Sequence, residues 1–324
     1  MAGRAKGRAL VAAACLSLVA VAAGAASVQP GHVTTRDGQR AYLLVRPDQP
    51  ADGPHPLVIL LHGHGGSAAM TLGKAGRASP LARWLDIADR EKVLVVALDG
   101  AIGGDGRQGW NDCRRDAYDN PKTDDVAFVA AVVHRLIDGG QADPSRLYVM
   151  GMSNGGMMAY RLAIELDPPI AAFAAASASM AVDSQCGPAR HPVSALIING
   201  TADPLVPYNG GGVGLFRKNR GQVVAIDTVV EFWRRADGLN GDVRTSALPH
   251  READDPTRAQ ITLWEHGADR PQVERVRIDG GGHIEPSLTE RYRPAYERLV
   301  GLQNHDLEAA EEAWSFFRDK RSPR

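Results

Sequence analysis

The sequence has almost no excess charge of either sign. Its 324 residues carry 37 Lys and Arg against 38 Asp and Glu, a formal net charge of −1. This balance gives no indication of a nucleic-acid partner, which would call for a basic excess. The chain also lacks internal repeats, low-complexity tracts and a linker rich in Pro, Ser or Gly. At 44% hydrophobic residues it is typical of an ordinary globular protein.

Cysteine is scarce, with three in the whole chain. Cys15 lies inside an apolar run near the N-terminus, where lipidation is not expected. Cys113 and Cys186 are the other two. Two cysteines in an exported protein favour one disulfide, and two separate buried thiols are the alternative.

Long apolar stretches are missing except near the N-terminus. Arg4, Lys6 and Arg8 precede the run "VAAACLSLVAVAAGAAS", which ends in small residues that fit an A-x-A-like cleavage site. The pattern predicts a signal peptide over residues 1–26 and one catalytic domain over 27–324. The mature protein is then secreted, extracellular or periplasmic, with no stable membrane association. An uncleaved anchor is the alternative, but the run is shorter than the roughly 20 residues that a membrane span needs.

Short apolar runs rich in β-branched residues recur along the rest of the chain. They predict strands at 56–62, 93–99, 146–152, 170–179, 193–200 and 272–278, after a hairpin at 32–47. Apolar residues at helical spacing predict helices at 124–138, 155–166, 226–236 and 305–319. Strands that alternate with helices predict an α/β fold, a mostly parallel sheet with helices on both faces. Ligands bind at the carboxyl ends of strands in such sheets.

The strand at 146–152 leads into "GMSNGG", a G-x-S-x-G pattern centred on Ser153. A tight strand-to-helix turn of this kind projects a nucleophilic serine from the end of the sheet. The alternative is a glycine-rich turn whose serine only caps the helix. The setting between a buried strand and a helix favours the nucleophile.

A second glycine-rich loop, "HGHGGS", follows the strand at 56–62. Acyl transfer needs N–H donors where the oxyanion forms. We predict that the backbone of His64 provides one donor and the backbone of Asn154, next to the serine, provides the other. Metal binding by His62 and His64 is the alternative, but no further ligands stand nearby in the sequence.

Two further strands end in residues that complete a catalytic triad. Asp203 follows the strand at 193–200, and His283 follows the strand at 272–278 within "GGGH". The chain order Ser153, Asp203, His283 is the order found in α/β-hydrolases. Asp183 and Asp227 compete for the role of the acid, but neither follows a clear strand.

Five stretches carry a resemblance to a known group: "LLHGHGGS", "GWNDCR" followed by "DDVAF", "RLYVMGMSNGGMMAYRLA", "NGTADPLVPYNGG" and "GGGH". Together they resemble secreted polyhydroxybutyrate depolymerases and feruloyl- or acetylxylan-type esterases of the α/β-hydrolase superfamily. The resemblance implies a serine esterase with Ser153 as nucleophile, His283 as base and Asp203 as orienting acid. It implies no cofactor and no metal.

The chain departs from that family at two places. His64 stands where the family often has cysteine, and Ile284 and Glu285 follow His283 where an aromatic residue and "PG" are common. The family's extracellular polymer depolymerases often append a granule-binding domain, which this sequence lacks. The expected substrates are therefore short or oligomeric hydroxyalkanoate esters rather than crystalline polymer.

Four residues are candidates for the substrate pocket: Trp110, Asn111, Tyr208 and Ile284. For Trp110 the alternative is packing against the core or the disulfide. Three other functions stay open: a feruloyl- or acetylxylan-type esterase on plant polysaccharide esters, a non-catalytic binding protein on a hydrolase scaffold, and a peptidase. The sequence makes no prediction of oligomeric state.

Overall fold

The computed structural model describes residues 1, 3, 25–76, 78–214, 220–241, 243–267 and 270–322. The predicted signal peptide lies almost entirely outside the described residues. Within those ranges, no helix is long and apolar enough to cross a membrane.

The strands of the described residues are β1 (Ser27–Thr35), β2 (Gly38–Arg46), β3 (His55–Leu61), β4 (Leu94–Leu98), β5 (Ala101–Ile102), β6 (Gln108–Gly109), β7 (Ala142–Met152), β8 (Ala172–Ala176), β9 (Ser194–Gly200), β10 (Gly211–Gly212), β11 (Gln222–Val223), β12 (Val243–Ala247), β13 (Arg258–Trp264) and β14 (Val273–Asp279). Ten of them form a sheet at the centre of the molecule, in the order β1-β2-β4-β3-β7-β8-β9-β14-β13-β12, while β5 pairs with β6 and β10 with β11. The six central strands, from β4 to β14, are parallel to one another, and the strands at both edges are antiparallel.

Helices cover both faces of this sheet. They are α1 (Ala68–Thr71), α2 (Trp84–Glu91), α3 (Asp125–Asp138), α4 (Asn154–Glu165), α5 (Ile226–Ala236), α6 (Pro294–Val300) and α7 (Ala309–Phe317), with a 3₁₀ turn at Pro80–Arg83. Side chains of a strand alternate between the two faces. In β3, Leu57 and Ile59 accordingly join the core under α3, α4 and α5, while Val58 joins the core under α2 and α7.

The predicted α/β fold is confirmed, as are the hairpin, the six strands and the four helices, with small shifts at their ends. Helices α1, α2 and α6 were not predicted from the sequence, nor were the antiparallel strands β12 and β13 and the short strands β5, β6, β10 and β11. Every residue of β12 is exposed, so its sequence lacks the apolar pattern by which strands are recognised.

Candidate active site

Ser153 lies on a sharp turn between β7 and α4. Its φ of 56° and ψ of −121° are unusual for a residue with a side chain, as expected of a strained turn that projects a nucleophile. The turn needs glycines because the backbone of α4 approaches Gly151 closely and the backbone of β3 approaches Gly155 closely. A Cβ on Gly151 would collide with the carbonyl of Gly155, and a Cβ on Gly155 would collide with the carbonyl of Leu61. The G-x-S-x-G pattern therefore has a steric reason in this fold.

The structure brings the three predicted triad residues together at the carboxyl ends of β7, β9 and β14. Ser153 Oγ lies 2.8 Å from His283 Nε2, and His283 Nδ1 lies 2.7 Å from Asp203 Oδ2. His283 and Asp203 are buried. With the Nδ1 proton donated to Asp203, Nε2 is free to accept the proton of the serine hydroxyl.

The orientation of the Asp203 carboxylate is set by the loop after β9. Its other oxygen, Oδ1, accepts the backbone N–H groups of Leu205 and Val206, each at 2.8 Å. One carboxylate oxygen is thus tied to the backbone while the other remains for His283. Neither of the competing acids, Asp183 and Asp227, bonds to the histidine; they pair with Arg115 and Arg275.

The glycines before His283 allow three pieces of backbone to meet. A Cβ on Gly200, at the end of β9, would collide with Gly281, and a Cβ on Gly282 would collide with Gly301. The N–H of His283 donates to the carbonyl of Val300 at 2.6 Å, and that of Gly282 donates to Leu302 at 2.8 Å. The run before the histidine therefore docks it between β9 and the segment after α6.

The predicted oxyanion donors lie on the two loops that meet at the serine. Asn154 is the first residue of α4, and an ideal Cβ on Gly63, the neighbour of His64, would lie 3.4 Å from Ser153 Cβ. Among the described residues, neither the N–H of His64 nor that of Asn154 donates to a protein acceptor. Both groups therefore remain available for a developing oxyanion, and their catalytic role stays a prediction.

The first histidine of this loop, His62, is bonded to backbone groups through both of its ring nitrogens. His62 Nδ1 donates to the carbonyl of Gly63 at 2.7 Å, and Nε2 accepts the N–H of Gly100 at 2.9 Å. Burial lowers the pKa of His62 and keeps its ring neutral. With both nitrogens used, these bonds leave His62 no free lone pair for a metal. Among the described residues, no cluster of potential metal ligands is present.

Trp110 supports the site from beneath rather than lining a pocket. Its side chain is fully buried, and its indole N–H donates to the carbonyl of His62 at 2.8 Å. Its backbone N–H donates to Asn154 Oδ1 at 2.7 Å. The prediction that Trp110 lines the substrate pocket is wrong, because its side chain has no exposed surface, and its indole N–H and backbone N–H both bond inside the core.

The predicted disulfide is confirmed: Cys113 and Cys186 are bonded, with their Cα atoms 5.3 Å apart. The link joins the loop that carries Trp110 to the loop after β8. Gln185 reinforces it, because its side chain donates to the carbonyl of Asp112 at 2.6 Å.

Curated proteins with a similar sequence include esterases. One is "Putative esterase NocK" of Nocardia uniformis subsp. tsuyamanensis, 30% identical over 288 residues, which are 86% of this chain and 79% of that protein. This chain belongs to the α/β-hydrolase esterase family.

Other relatives of this esterase carry more specific names. "Feruloyl esterase B" of Piromyces equi is 29% identical over 72% of this chain, and the matched region spans 40% of that protein's length. "Probable feruloyl esterase C" of Aspergillus flavus is 29% identical over 53% of this chain and 58% of its own length. This chain therefore matches only part of several of its relatives.

Solved structures confirm the fold of the esterase. "Acetyl xylan esterase from Aspergillus awamori" superposes with a TM-score of 0.54 at 16% identity, covering 79% of this chain and 94% of that chain. The profile of the prolyl oligopeptidase family matches residues 85–185, less than a third of the esterase.

The other predicted pocket residues have little exposed surface. Tyr208 and Ile284 are buried, and Asn111 is half-buried with its side-chain amide donating to the carbonyl of Thr123. A cavity of about 280 Å³ lies instead alongside α4, beside the disulfide. Its largely apolar wall includes Met157, Met180 and Phe232. Asn111, Tyr208 and Ile284 do not line this cavity, and their role in the esterase stays a prediction.

Four charged residues near the proposed oxyanion donors of the esterase were not predicted from the sequence to be part of the site: Asp105, Asp112, Arg114 and Arg220. Asp112 and Arg114 form a buried ion pair at 2.6 Å, and Asp105 pairs with Arg220 at 2.6 Å. For Asp112 and Arg114 the available signal was their place on either side of Cys113, whose disulfide holds the loop. Arg220 is far away in the sequence, and no local pattern identifies it.

Proposed function

We propose that this esterase hydrolyses carboxylic esters through an acyl-enzyme on Ser153. The observation that carries the proposal is the hydrogen-bonded chain from Ser153 Oγ through His283 to Asp203. In this arrangement His283 accepts the serine proton as the hydroxyl attacks the ester carbonyl. The N–H groups of His64 and Asn154 donate to the oxyanion that forms.

The second half of the cycle uses the same groups. His283, now protonated, donates its proton to the leaving alcohol, and Asp203 stabilises the imidazolium. Water then enters, His283 removes its proton, and the attack on the acyl-enzyme releases the acid and restores Ser153. No step in this sequence calls for a group from outside the chain other than water.

For the substrate we propose esters of plant polysaccharides, of the feruloyl or acetyl type. The names of several relatives support this class, among them the feruloyl esterases and "Bifunctional acetylxylan esterase/xylanase XynS20E" of Neocallimastix patriciarum. Short or oligomeric hydroxyalkanoate esters are the second candidate, supported by the motifs shared with polyhydroxybutyrate depolymerases.

We also propose that the esterase works outside the cytoplasm. The disulfide between Cys113 and Cys186 supports this location, because such bonds persist in oxidising compartments. The signal-like N-terminal sequence is consistent with it.

Labelling and a substrate panel test these proposals. A fluorophosphonate probe should add to Ser153 in the wild type and to no residue in Ser153→Ala, whose esterase turnover should fall by several powers of ten. Wild-type turnover retained by a folded Ser153→Ala would reject the mechanism.

Rates on methyl ferulate, acetylated xylan and soluble hydroxybutyrate oligomers then decide between the substrate classes. If kcat/KM is highest on the hydroxybutyrate oligomers, these esters become the first candidate substrates and the polysaccharide esters the second.

A further inference from the structure

The two proposed oxyanion donors belong to different segments, the loop after β3 and the start of α4, and a series of hydrogen-bonded residues connects them. On one side, His64 Nε2 donates to Asp105 Oδ2 at 2.8 Å. The same carboxylate oxygen accepts Arg220 Nη2 at 2.6 Å. The loop after β3 is thereby tied to the segment that precedes β11.

The connection continues from Arg220 to the other loop. The backbone carbonyl of Arg220 accepts Arg114 Nη1 at 2.6 Å. Arg114 makes a bidentate contact with Asp112: Nη2 donates to Oδ2 at 2.6 Å and Nε donates to Oδ1 at 3.1 Å. Asp112 Oδ2 in turn accepts the side-chain amide of Asn154 at 2.7 Å.

Five links, each made by one or two of these hydrogen bonds, thus run without a gap from His64 to Asn154. We call this series the oxyanion bridge; its members are His64, Asp105, Arg220, Arg114, Asp112 and Asn154. The bridge is neutral as a whole, because its two arginines balance its two aspartates while burial lowers the pKa of His64 and favours a neutral ring.

The inner half of the bridge is well shielded from water. The side chains of Asp112 and Arg114 are 0% and 3% exposed. A bidentate pair between arginine and carboxylate is geometrically specific, and removing one partner of a buried pair leaves the other charge without compensation. The link that holds Asn154 therefore lies in the part of the bridge where loss of a partner is most costly.

We propose that the oxyanion bridge sets the positions of the His64 and Asn154 N–H groups relative to each other, with Arg114 as its central positioning residue. The inference rests on the proposed acyl-enzyme mechanism. Oxyanion donors act when they lie about 2.7–3.1 Å from the charge that develops, and a displacement of about 1 Å costs on the order of a hundredfold in rate. Hydrogen bonds that join the two segments restrict changes in such a spacing.

The main experiment compares Arg114→Lys with Arg115→Lys in the full-length protein. Lysine at position 114 keeps the charge, but it has a single side-chain nitrogen. It therefore cannot make the bidentate contact with Asp112 and also donate to the Arg220 carbonyl. Arg115 is a matched control, since its side chain is 62% exposed and pairs with Asp183 outside the bridge. For p-nitrophenyl acetate, we expect Arg114→Lys to lower kcat by about ten- to a hundredfold with KM within about twofold. Arg115→Lys should match the wild type.

Inhibition by a transition-state analogue distinguishes a displacement of the oxyanion donors from a general loss of protein stability. Trifluoromethyl ketones form a tetrahedral adduct with the serine and place an oxyanion on the two donors. Their Ki should rise in Arg114→Lys by the same factor by which kcat/KM falls, while the Ki of the product acid changes little. A rise in Ki without loss of kcat, or a loss of kcat without a rise in Ki, overturns the proposal.

A second break in the bridge tests its continuity. Asp105→Asn weakens the pairing with Arg220 at the far end, and we expect a loss of about tenfold in kcat/KM. Because both substitutions break the same series of hydrogen bonds, the double variant with Arg114→Lys should lose clearly less than the product of the single effects. Fully multiplicative losses overturn the bridge.

Failure of this inference and failure of the proposed mechanism give different results. If Ser153→Ala is inactive and Arg114→Lys matches the wild type, the bridge is rejected and the mechanism stands. If Ser153→Ala remains active, the mechanism is rejected and the inference falls with it.

Discussion

The carboxylate of Asp203 is divided between two tasks. Oδ1 accepts the N–H groups of Leu205 and Val206, and Oδ2 accepts the imidazole N–H of His283. An asparagine at this position would place its carbonyl oxygen toward the two backbone donors, which leaves its NH₂ group facing His283. The histidine would then adopt the tautomer that cannot accept the serine proton.

We therefore expect Asp203→Asn to lower kcat by about a thousandfold or more, with KM little changed. Steady-state kinetics on p-nitrophenyl acetate measures the effect. Asp183→Asn is the control, because that acid lies on the surface and pairs with Arg115. Equal activity of the two variants would show that Asp203 does not orient the histidine.

At the scale of elements, the serine turn depends on the close approach of α4 to β3. The position of the Gly155 Cα leaves no room for a side chain beside the carbonyls of Leu61 and His62. The same carbonyl of His62 accepts the Trp110 indole, so a shift of α4 would also disturb the loop that carries Trp110.

Gly155→Ala should thus destabilise the fold, with the free energy of unfolding lowered by about 3 kcal/mol or more. Urea denaturation at pH 7 is the measurement. Gly187→Ala is the matched control, since a Cβ there meets nothing within 4 Å. A Gly155→Ala midpoint equal to that of Gly187→Ala would mean that the turn has more room than the backbone positions show.

Helix α7 meets strand β14 at a pair of carboxyl groups. Burial and the neighbouring Glu312, to which Glu274 is hydrogen-bonded, raise the pKa of Glu274 from its usual 4.5 to about 8. A carboxyl whose pKa is higher in the folded chain binds a proton on folding, so its contribution to stability falls as pH rises. The loss runs from about pH 4.5, where the unfolded chain titrates, to about pH 8.

Glu274→Gln keeps a hydrogen-bonding group but removes this titration. We expect the wild type to lose stability steadily between pH 5 and pH 8 and the variant to lose markedly less. Urea midpoints at four pH values compare the two, with the exposed carboxyl variant Asp138→Asn as control. Parallel curves for wild type and Glu274→Gln would exclude this pair as the source of the pH dependence.

At the scale of the whole molecule, one disulfide ties two distant loops together. Cys113 and Cys186 are 73 residues apart in sequence, and closing a loop of that length stabilises a fold by about 4 kcal/mol in the chain-entropy estimate. Cys113 also lies between Asp112 and Arg114, so the disulfide supports the inner half of the oxyanion bridge.

The double variant Cys113→Ala with Cys186→Ala should consequently lose about 2–4 kcal/mol in free energy of unfolding and also lose esterase activity. Unfolding curves and rates, with and without reductant, measure both effects. The unfolding midpoint and kcat of the variant should not change with reductant. The variant is therefore the control for effects of the reductant that do not involve this disulfide. A wild type whose midpoint and kcat are unchanged by full reduction would contradict the prediction.

Much of the fold and of the triad could be predicted because the signals are local. A run such as 193–200 is apolar throughout because both faces of β9 are buried, and a residue just past such a strand lies at the edge where ligands bind. Ser153, Asp203 and His283 each follow a strand in this way, so their chain order was informative. Strand β12 was missed for the opposite reason, since its exposed residues leave no apolar pattern.

The sequence by itself determined the parallel sheet, the serine turn and the three residues that meet at its edge, because each depends on a short segment and on burial. Only the tertiary structure decided which way Trp110 faces and which charges meet. The ion pair of Asp112 with Arg114 depends on the conformation of one loop. The ion pair of Asp105 with Arg220 forms only because tertiary folding brings together two segments that are far apart in the sequence. Surface and bridging charges look alike in a sequence, and contact in three dimensions is what distinguishes them.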